Sequence, residues 1–251
     1  MPAAERLLED RSVPDVPHLD GRLTAAAQLV PFGACVADVG CDHGKLSVYL
    51  ALTGRARRVL AVDVRPQPLE RARQLVEKTG CGQQVECRLS DGLSCVLPGE
   101  ADTVVLAGIS GVTCVQILAA APWVRDAAVR IIAVPPNKPE VLRRWLWENG
   151  FAIETERAAL VDGYPYSVLA ARWCGSVRTP TEAECRLGLL AEDASEAAAA
   201  CRRKVLRQVE RCLAGMQAGA RDGRYTAQQL EEMTALRDEI RMKIGPFSPC
   251  E

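Results

Sequence analysis

Residues 35–45 read Cys35-Val36-Ala37-Asp38-Val39-Gly40-Cys41-Asp42-His43-Gly44-Lys45. The apolar run from Cys35 to Val39 predicts a buried strand that carries an acid, Asp38, near its end. Gly40 and Gly44 follow, and Leu46 to Leu50 opens a helical pattern. A strand, a tight glycine turn and a helix bring a nucleotide-like ligand close to backbone N–H groups at a helix N-terminus.

The spacing separates two kinds of ligand. A dinucleotide fingerprint needs G-x-G-x-x-G so that the backbone can approach a pyrophosphate. Here the pattern is Asp38-x-Gly40-x-Asp42-x-Gly44. An acid before the first glycine repels a pyrophosphate. It suits a cation, or a ligand offering amine and hydroxyl donors, and S-adenosylmethionine (SAM) is both. The pattern resembles the first motif of SAM-dependent methyltransferases, D/E-x-G-x-G-x-G, with Asp42 in place of the middle glycine. The bland alternative is an ordinary strand-to-helix turn.

Working outward, Arg58 to Asp63 is a second apolar strand ending in an acid, about 25 residues after Asp38. In a nucleotide-binding βαβ unit such an acid accepts from ribose hydroxyls. Pro66 opens a helix that Gly80 closes. Residues 84–89 alternate as a strand near the sheet edge, and Asp91-Gly92 follows. Asp91 is either a turn residue or an acceptor for an adenine amine. Residues 102–107 form a strand that runs into Gly108-Ile109-Ser110-Gly111. Glycines after Ala107 suggest close approach by a ligand, and Ser110 reads as a helix cap; both can hold. Residues 129–134 are a fifth strand, with Pro135-Pro136-Asn137 and a helix up to Asn149-Gly150 behind it. Residues 151–160 and 166–172 are the last strands, joined through Asp162-Gly163 as in a hairpin. Upstream, residues 21–30 form a helix with Arg22 on its polar side, as a surface charge or a substrate contact. The alternation predicts a doubly wound sheet with a reversed edge strand.

The chain has 251 residues, 48% of them hydrophobic, with a net charge of -1. That fits one α/β domain with an appendage and argues against polyanion binding by bulk charge, though not against a local basic face. Eleven cysteines without a C-x-x-C pair, and only His18 and His43, read as reduced core residues and no metal site. No stretch reads as a signal peptide or a membrane span, so a cytoplasmic protein is expected.

The residues from Gly21 to Trp173 resemble the bacterial tRNA (adenine(22)-N1)-methyltransferase family, the TrmK family. The resemblance rests on Arg22-Leu23, Asp38-x-Gly40-x-Asp42-His43, Asp91-Gly92-Leu93 and Ala107-Gly108-x-x-Gly111. It continues through Pro136-Asn137 and Leu142-Arg143-x-Trp145-Leu146-x-Glu148-Asn149-Gly150. It implies an α/β fold: a Rossmann-like seven-stranded SAM-dependent methyltransferase domain followed by a helical coiled-coil hairpin. The expected division is an N-terminal arm at 1–19, the SAM-binding domain at 20–175 and the hairpin at 176–251. The last third agrees, because apolar or small residues recur in steps of three and four from Thr181 to Met216 and from Leu230 to Ile244. The seam includes Ala198, Cys201, Val209 and Cys212, with a turn expected between Gly215 and Thr226. Arg202, Arg203, Lys204, Arg207 and Arg211 crowd the first helix, as an RNA-phosphate stripe or a solvated face.

The resemblance implies SAM as cofactor, held by Asp38, Gly40, Asp42, His43, Asp63, Asp91, Gly92, Ala107 and Gly108. It implies tRNA as partner, touching Arg22, His43, Arg202, Arg203, Lys204 and Arg207, with no membrane partner and a monomer or weak dimer. Asp42 and Asn137 are the expected catalytic residues. Asp42 would offset the charge that develops on the adenine, and His43 would orient Asp42, touch RNA or serve the fold. The sequence departs from the family at Gly44-Lys45-Leu46-Ser47, usually Ala-Tyr-Leu-Pro. It departs again at Gly108-Ile109-Ser110-Gly111, usually Gly-Met-Gly-Gly, and at Pro135, often glutamine. A non-catalytic or retargeted SAM- or RNA-binding protein on the same fold is the alternative.

Overall fold

The computed structural model describes residues 15–244, so most of the expected N-terminal arm lies outside the described residues. The elements in chain order are α1 (Gly21–Leu29), β1 (Ala34–Val39), α2 (Lys45–Leu52), β2 (Ala56–Asp63) and α3 (Pro66–Thr79). They continue with β3 (Val85–Leu89), β4 (Thr103–Ala107), α4 (Gly111–Ala119), β5 (Arg130–Val134) and α5 (Pro139–Glu148). The last are β6 (Phe151–Val161), β7 (Tyr164–Trp173), α6 (Glu182–Leu187), α7 (Glu196–Ala220) and α8 (Ala227–Ile244). The strands form one seven-stranded sheet in the order β3-β2-β1-β4-β5-β7-β6. β3 is an edge strand, as its alternation predicts. The reversed strand is β7, which runs antiparallel to both β5 and β6 and so lies inside the sheet and not at its edge.

Contacts group the chain into two compact units. Among the described residues, one takes in residues 15–19 and 30–105, and the other Asp20–Leu29 with residues 106–244. In the first unit β1, β2 and β3 pair in parallel. Val59, Leu60, Ala61 and Val62 of β2 are buried in succession, the continuous apolar reading of a strand covered on both faces. α2 is buried nearly all round through Leu46, Ser47, Val48, Leu50 and Ala51, whereas α3 buries only Leu69, Ala72 and Val76. An amphipathic outer helix and an apolar inner one follow directly from their residue patterns.

In the second unit a buried ion pair fixes the path of the chain. Arg143 of α5 and Glu156 of β6 have side chains 2% and 0% exposed. Arg143 also donates to the carbonyls of Cys185 and Arg186 at 2.8 and 3.0 Å, and Glu156 accepts from the N–H of Leu189 at 2.8 Å. This pair pins the segment after α6 and breaks the single long helix that the seam from Thr181 predicts. Gly188 adopts φ 59 and ψ -150, a conformation close to glycine-only. A Cβ there would overlap the Glu156 carboxylate. α7 then restarts at Ser195, whose hydroxyl caps the N–H of Ala198.

α7 and α8 pack through Val209, Leu236 and Ile240 together with Leu187 of α6, and Arg241 of α8 pairs with Glu210 of α7 at 2.5 Å. α7 runs on to Ala220, past Gly215, so the turn is shorter than the glycines suggest. Leu213, not Cys212, faces the seam: Leu213 is buried and Cys212 exposed. All ten described cysteines are free; five are buried, but Cys95, Cys174 and Cys212 are exposed. Burial pushes the Cys114 thiol up to about 12, which makes it an inert core residue. Among the described residues, no helix is long and apolar enough to cross a membrane, and no group of three or more His, Cys, Asp or Glu could hold a metal ion.

Candidate functional site: the loops after the strands

The loop after β1 is shaped by three left-handed residues, with φ 69 at Gly40, 50 at Asp42 and 71 at Gly44. The middle value explains why a glycine is usual there. An aspartate tolerates that region better than most side chains, but a non-glycine residue held there stores strain, as functional loops often do. The loop is tied to β2 on two levels. The N–H groups of Gly40 and Cys41 donate to the carbonyl of Val62 at 2.8 and 3.0 Å. The N–H of Asp42 donates to Asp63 Oδ2 at 3.2 Å, while the N–H of Arg65 donates to Asp63 Oδ1 at 2.9 Å. Asp63, 3% exposed, therefore clasps the loops after β1 and β2 together.

The acidic mouth expected from the sequence is built differently. Asp38 is 2% exposed and accepts from the Ser47 hydroxyl at 2.6 Å. Its carboxylate is turned into the protein, because Ser47 lies in the first turn of α2 and offers a donor there. Burial pushes the Asp38 carboxyl up to about 6, against the lowering effect of the Ser47 hydrogen bonds. Asp91 is exposed and Gly92, with φ 56, turns the chain behind it. The mouth is also not purely acidic: Arg65 reaches both carboxylates, Nη2 at 3.8 Å from Asp42 and Nε at 3.6 Å from Asp63.

Asp42, His43, Arg65, Pro66, Gln67, Pro68 and Arg71 line an open hollow of about 490 Å³. The Asp42 side chain is 61% exposed, its Oδ1 3.7 Å from His43 Nε2. Arg71 Nη1 lies 2.8 Å from the same Nε2. An arginine can only donate, so in this contact Nε2 is the acceptor. The motif pattern does not single out Arg65 and Arg71. Their signal lies in their places at the N-cap of α3 and six residues further along it, beside His43 and Asp42 of the glycine loop.

In the second unit, Ala107 ends β4 and Gly108 is exposed with φ 80, its N–H donating to the Val134 carbonyl at 3.1 Å. Gly111 is close-packed by the protein itself and not by a ligand. A Cβ there would overlap the carbonyl of Lys138, and its N–H donates to the Asn137 carbonyl at 3.0 Å. The two motif fragments, Gly108-x-x-Gly111 and Pro136-Asn137, are thus one backbone junction, and the Asn137 residue itself is exposed. Arg22 pairs with Asp20 at 3.0 Å and lies over the Tyr166 ring, 5.5 Å from its centroid. Its Nη1 is 3.5 Å from where a Gly108 Cβ would be.

The basic stripe on α7 divides. Arg202 is engaged in the fold, its Nη1 donating to the carbonyls of Leu190 at 2.8 Å and of Asp193, which ties it to the segment before α7. Arg203 is half-buried, Lys204 lies over the Tyr164 ring at 4.0 Å, and Arg207 is exposed.

A family model described as a methyltransferase domain matches residues 19–169. The chain is 33% identical over 153 residues to a tRNA (adenine(22)-N(1))-methyltransferase of Bacillus subtilis, covering 61% of this chain and 64% of that relative. The chain thus spans slightly less than two thirds of the curated relative's length. Its fold is similar to the crystal structure of the B. subtilis m1A22 tRNA methyltransferase TrmK, with a TM-score of 0.80, 24% identity, and coverage of 92% of this chain and 100% of that one. It is also similar to M. capricolum TrmK in complex with S-adenosyl-homocysteine, with a TM-score of 0.71, 22% identity, and coverage of 90% and 97%. With more than half of its length matched by the model, including every strand-end loop described above, the chain belongs to the methyltransferase-domain family.

Proposed function

We propose that this protein is a SAM-dependent RNA methyltransferase that methylates N1 of an adenine in tRNA, at position 22 as in the relatives' names. The observation that carries the reading is Asp63. It is a buried carboxylate at the end of β2 that holds the glycine loop through Oδ2 and the loop after β2 through Oδ1. A carboxylate offers about four acceptor positions, so two remain for the hydroxyls of a ribose. The residues therefore fit the cofactor: Asp63 for the ribose, exposed Asp91 for the adenine amine, and the turn from Gly40 to Gly44 for the amino-acid end. When bound, SAM supplies a methyl group activated by its sulfonium.

The rest falls to this chain's own side chains. Adenine N1 carries a lone pair, so no residue has to remove a proton before transfer. Alignment and electrostatics then dominate. Asp42 offsets the positive charge left on the adenine, and its exposure keeps it available to the base. Asn137 and Gly108 hold the base, turned out of its stack. The same reading places residues 20–175 as the catalytic domain and 176–251 as a helical module. It also places the protein in the cytoplasm, as a monomer or weak dimer.

Labelled SAM with bulk bacterial tRNA tests the reading, followed by mapping of the methylated nucleoside. Asp42→Ala is expected to keep affinity for S-adenosylhomocysteine while methyl transfer falls by roughly 100-fold. Unlabelled tRNA with the unaltered protein overturns the reading, and unchanged turnover in the variant removes Asp42 from it.

A further inference from the structure

We propose that a cavity in the second unit receives an unpaired nucleobase of the RNA substrate, a strand neighbour of the methylated adenine. This rests on the tRNA reading above. The cavity holds about 360 Å³ and is bounded by the loop after β5, the start of β7 and α7, a size at the lower end of the roughly 300–1,000 Å³ of small-ligand sites.

One wall is a row of alternating charge and aromatic face. Tyr164 and Tyr166 stand edge to face with centroids 5.0 Å apart. Arg22 covers Tyr166 at 5.5 Å, and Lys204 Nζ covers Tyr164 at 4.0 Å. Tyr164 is 45% exposed, an amphipathic ring left open where a base can stack. Cations interleaved with aromatic faces are the means by which proteins hold single-stranded nucleic acid, the rings taking bases and the cations taking phosphates.

The other walls agree. Leu190, Cys201 and Val205 give an apolar floor. Five of the lining residues are basic, Lys138, Arg143, Arg186, Arg202 and Lys204, against one acid, Glu140. Arg143 is neutralised by Glu156 and Arg186 is paired with Glu182 at 2.8 Å, while Lys138, 3.9 Å from Glu140, keeps its side chain 63% exposed. An apolar floor under a cationic rim suits a planar heterocycle on an anionic backbone.

Asn137, the residue proposed to hold the acceptor base, also lines this cavity. The acceptor needs N1 open for transfer, whereas a base seated against Leu190 and Val205 is enclosed by α7. The occupant is therefore a neighbouring nucleotide, and the cavity sets register and sequence preference.

The test uses the full chain and a tRNA transcript that it methylates. Tyr164→Ala is expected to raise KM for the transcript by about 10-fold, a typical loss for one base–aromatic stack, with kcat and S-adenosylhomocysteine affinity unchanged. Tyr164→Phe, which keeps the ring, is expected to restore KM. Lys204→Gln is expected to lower the salt slope of binding by about one. Single abasic substitutions near the acceptor then locate the occupant. At one neighbouring position, removing the base is expected to abolish the difference between Tyr164→Ala and the unaltered protein. An unchanged KM in Tyr164→Ala, or a difference that survives every neighbouring abasic site, overturns the proposal while leaving the methyltransferase reading intact. Absence of methyl transfer by the unaltered protein fails the reading itself, before any variant is made.

Discussion

Two carboxylates, Asp38 in the first unit and Glu156 in the second, are equally withdrawn from water and held in opposite ways. Glu156 Oε1 takes Arg143 Nε and Nη2 at 2.9 and 2.7 Å and the Ser167 hydroxyl, while Oε2 takes the N–H of Leu189. Asp38 has the Ser47 hydroxyl and backbone and no cation. The saturated carboxylate is a structural clip. The under-compensated one lies under the functional loop, where burial pushes it up to about 6. Glu156 locks two chain segments together, whereas the burial of Asp38 beneath the loop after β1 is only partly compensated.

The largest effect expected from this contrast is at Glu156. Glu156→Ala leaves the Arg143 guanidinium buried and unpaired, which costs roughly 3–5 kcal/mol, read as a lowered midpoint in chemical denaturation. Replacing Arg143 and Glu156 together by leucine is expected to recover most of that loss. A double variant as unstable as the single one breaks the idea that the lone charge is the cause.

Asp38→Asn comes next and acts with the opposite sign. Well below pH 3.8 both folded and unfolded chains hold the Asp38 proton, so the carboxyl carries no penalty. As pH rises to about 6 the unfolded chain releases the proton while the folded chain keeps it, so stability falls through that window. Above it the cost stays at about 3 kcal/mol, because the carboxyl moves from 3.8 to about 6 and each tenfold change in proton affinity is worth about 1.36 kcal/mol. Asp38→Asn is expected to stabilise the protein at pH 7 by up to that amount and to match it well below pH 3.8, as read from melting temperature against pH. A variant with the same pH profile as the unaltered chain sinks the contrast.

The smallest effect is expected on the hairpin surface. The Arg241–Glu210 pair has side chains 53% and 36% exposed, and Glu210→Ala is expected to cost no more than about 1 kcal/mol, measured by thermal melting at low salt. A loss comparable to that at Glu156 shows that exposure does not govern these pairs.

The order of strands and helices up to Gly150 was legible because each strand is a short apolar run and each helix has a stop, as at Gly80 and Gly150. The glycine turn from Gly40 to Gly44 and the acid Asp63 ending the second strand were legible from spacing alone, whereas the bond from the Asp42 N–H that joins them was not. The direction of the Asp38 carboxylate was not, since it depends on Ser47 reaching it from the next helix. The role of Gly111 was not either, because its neighbour is the backbone of Lys138, 27 positions further along the chain. The break at Gly188 was hidden for the same reason: a helical seam records which residues are apolar, not which glycine covers a buried ion pair.

By itself, then, the sequence determined the class of the fold, the glycine loop between its first strand and helix, and the acids at the strand ends, because periodicity and spacing are local properties. The tertiary structure alone decided which carboxylates stay open, which arginines hold the fold together, and where tyrosines and cations line up into a wall. Hydrogen-bond saturation and burial are set by partners far apart in the chain, and no local pattern encodes them.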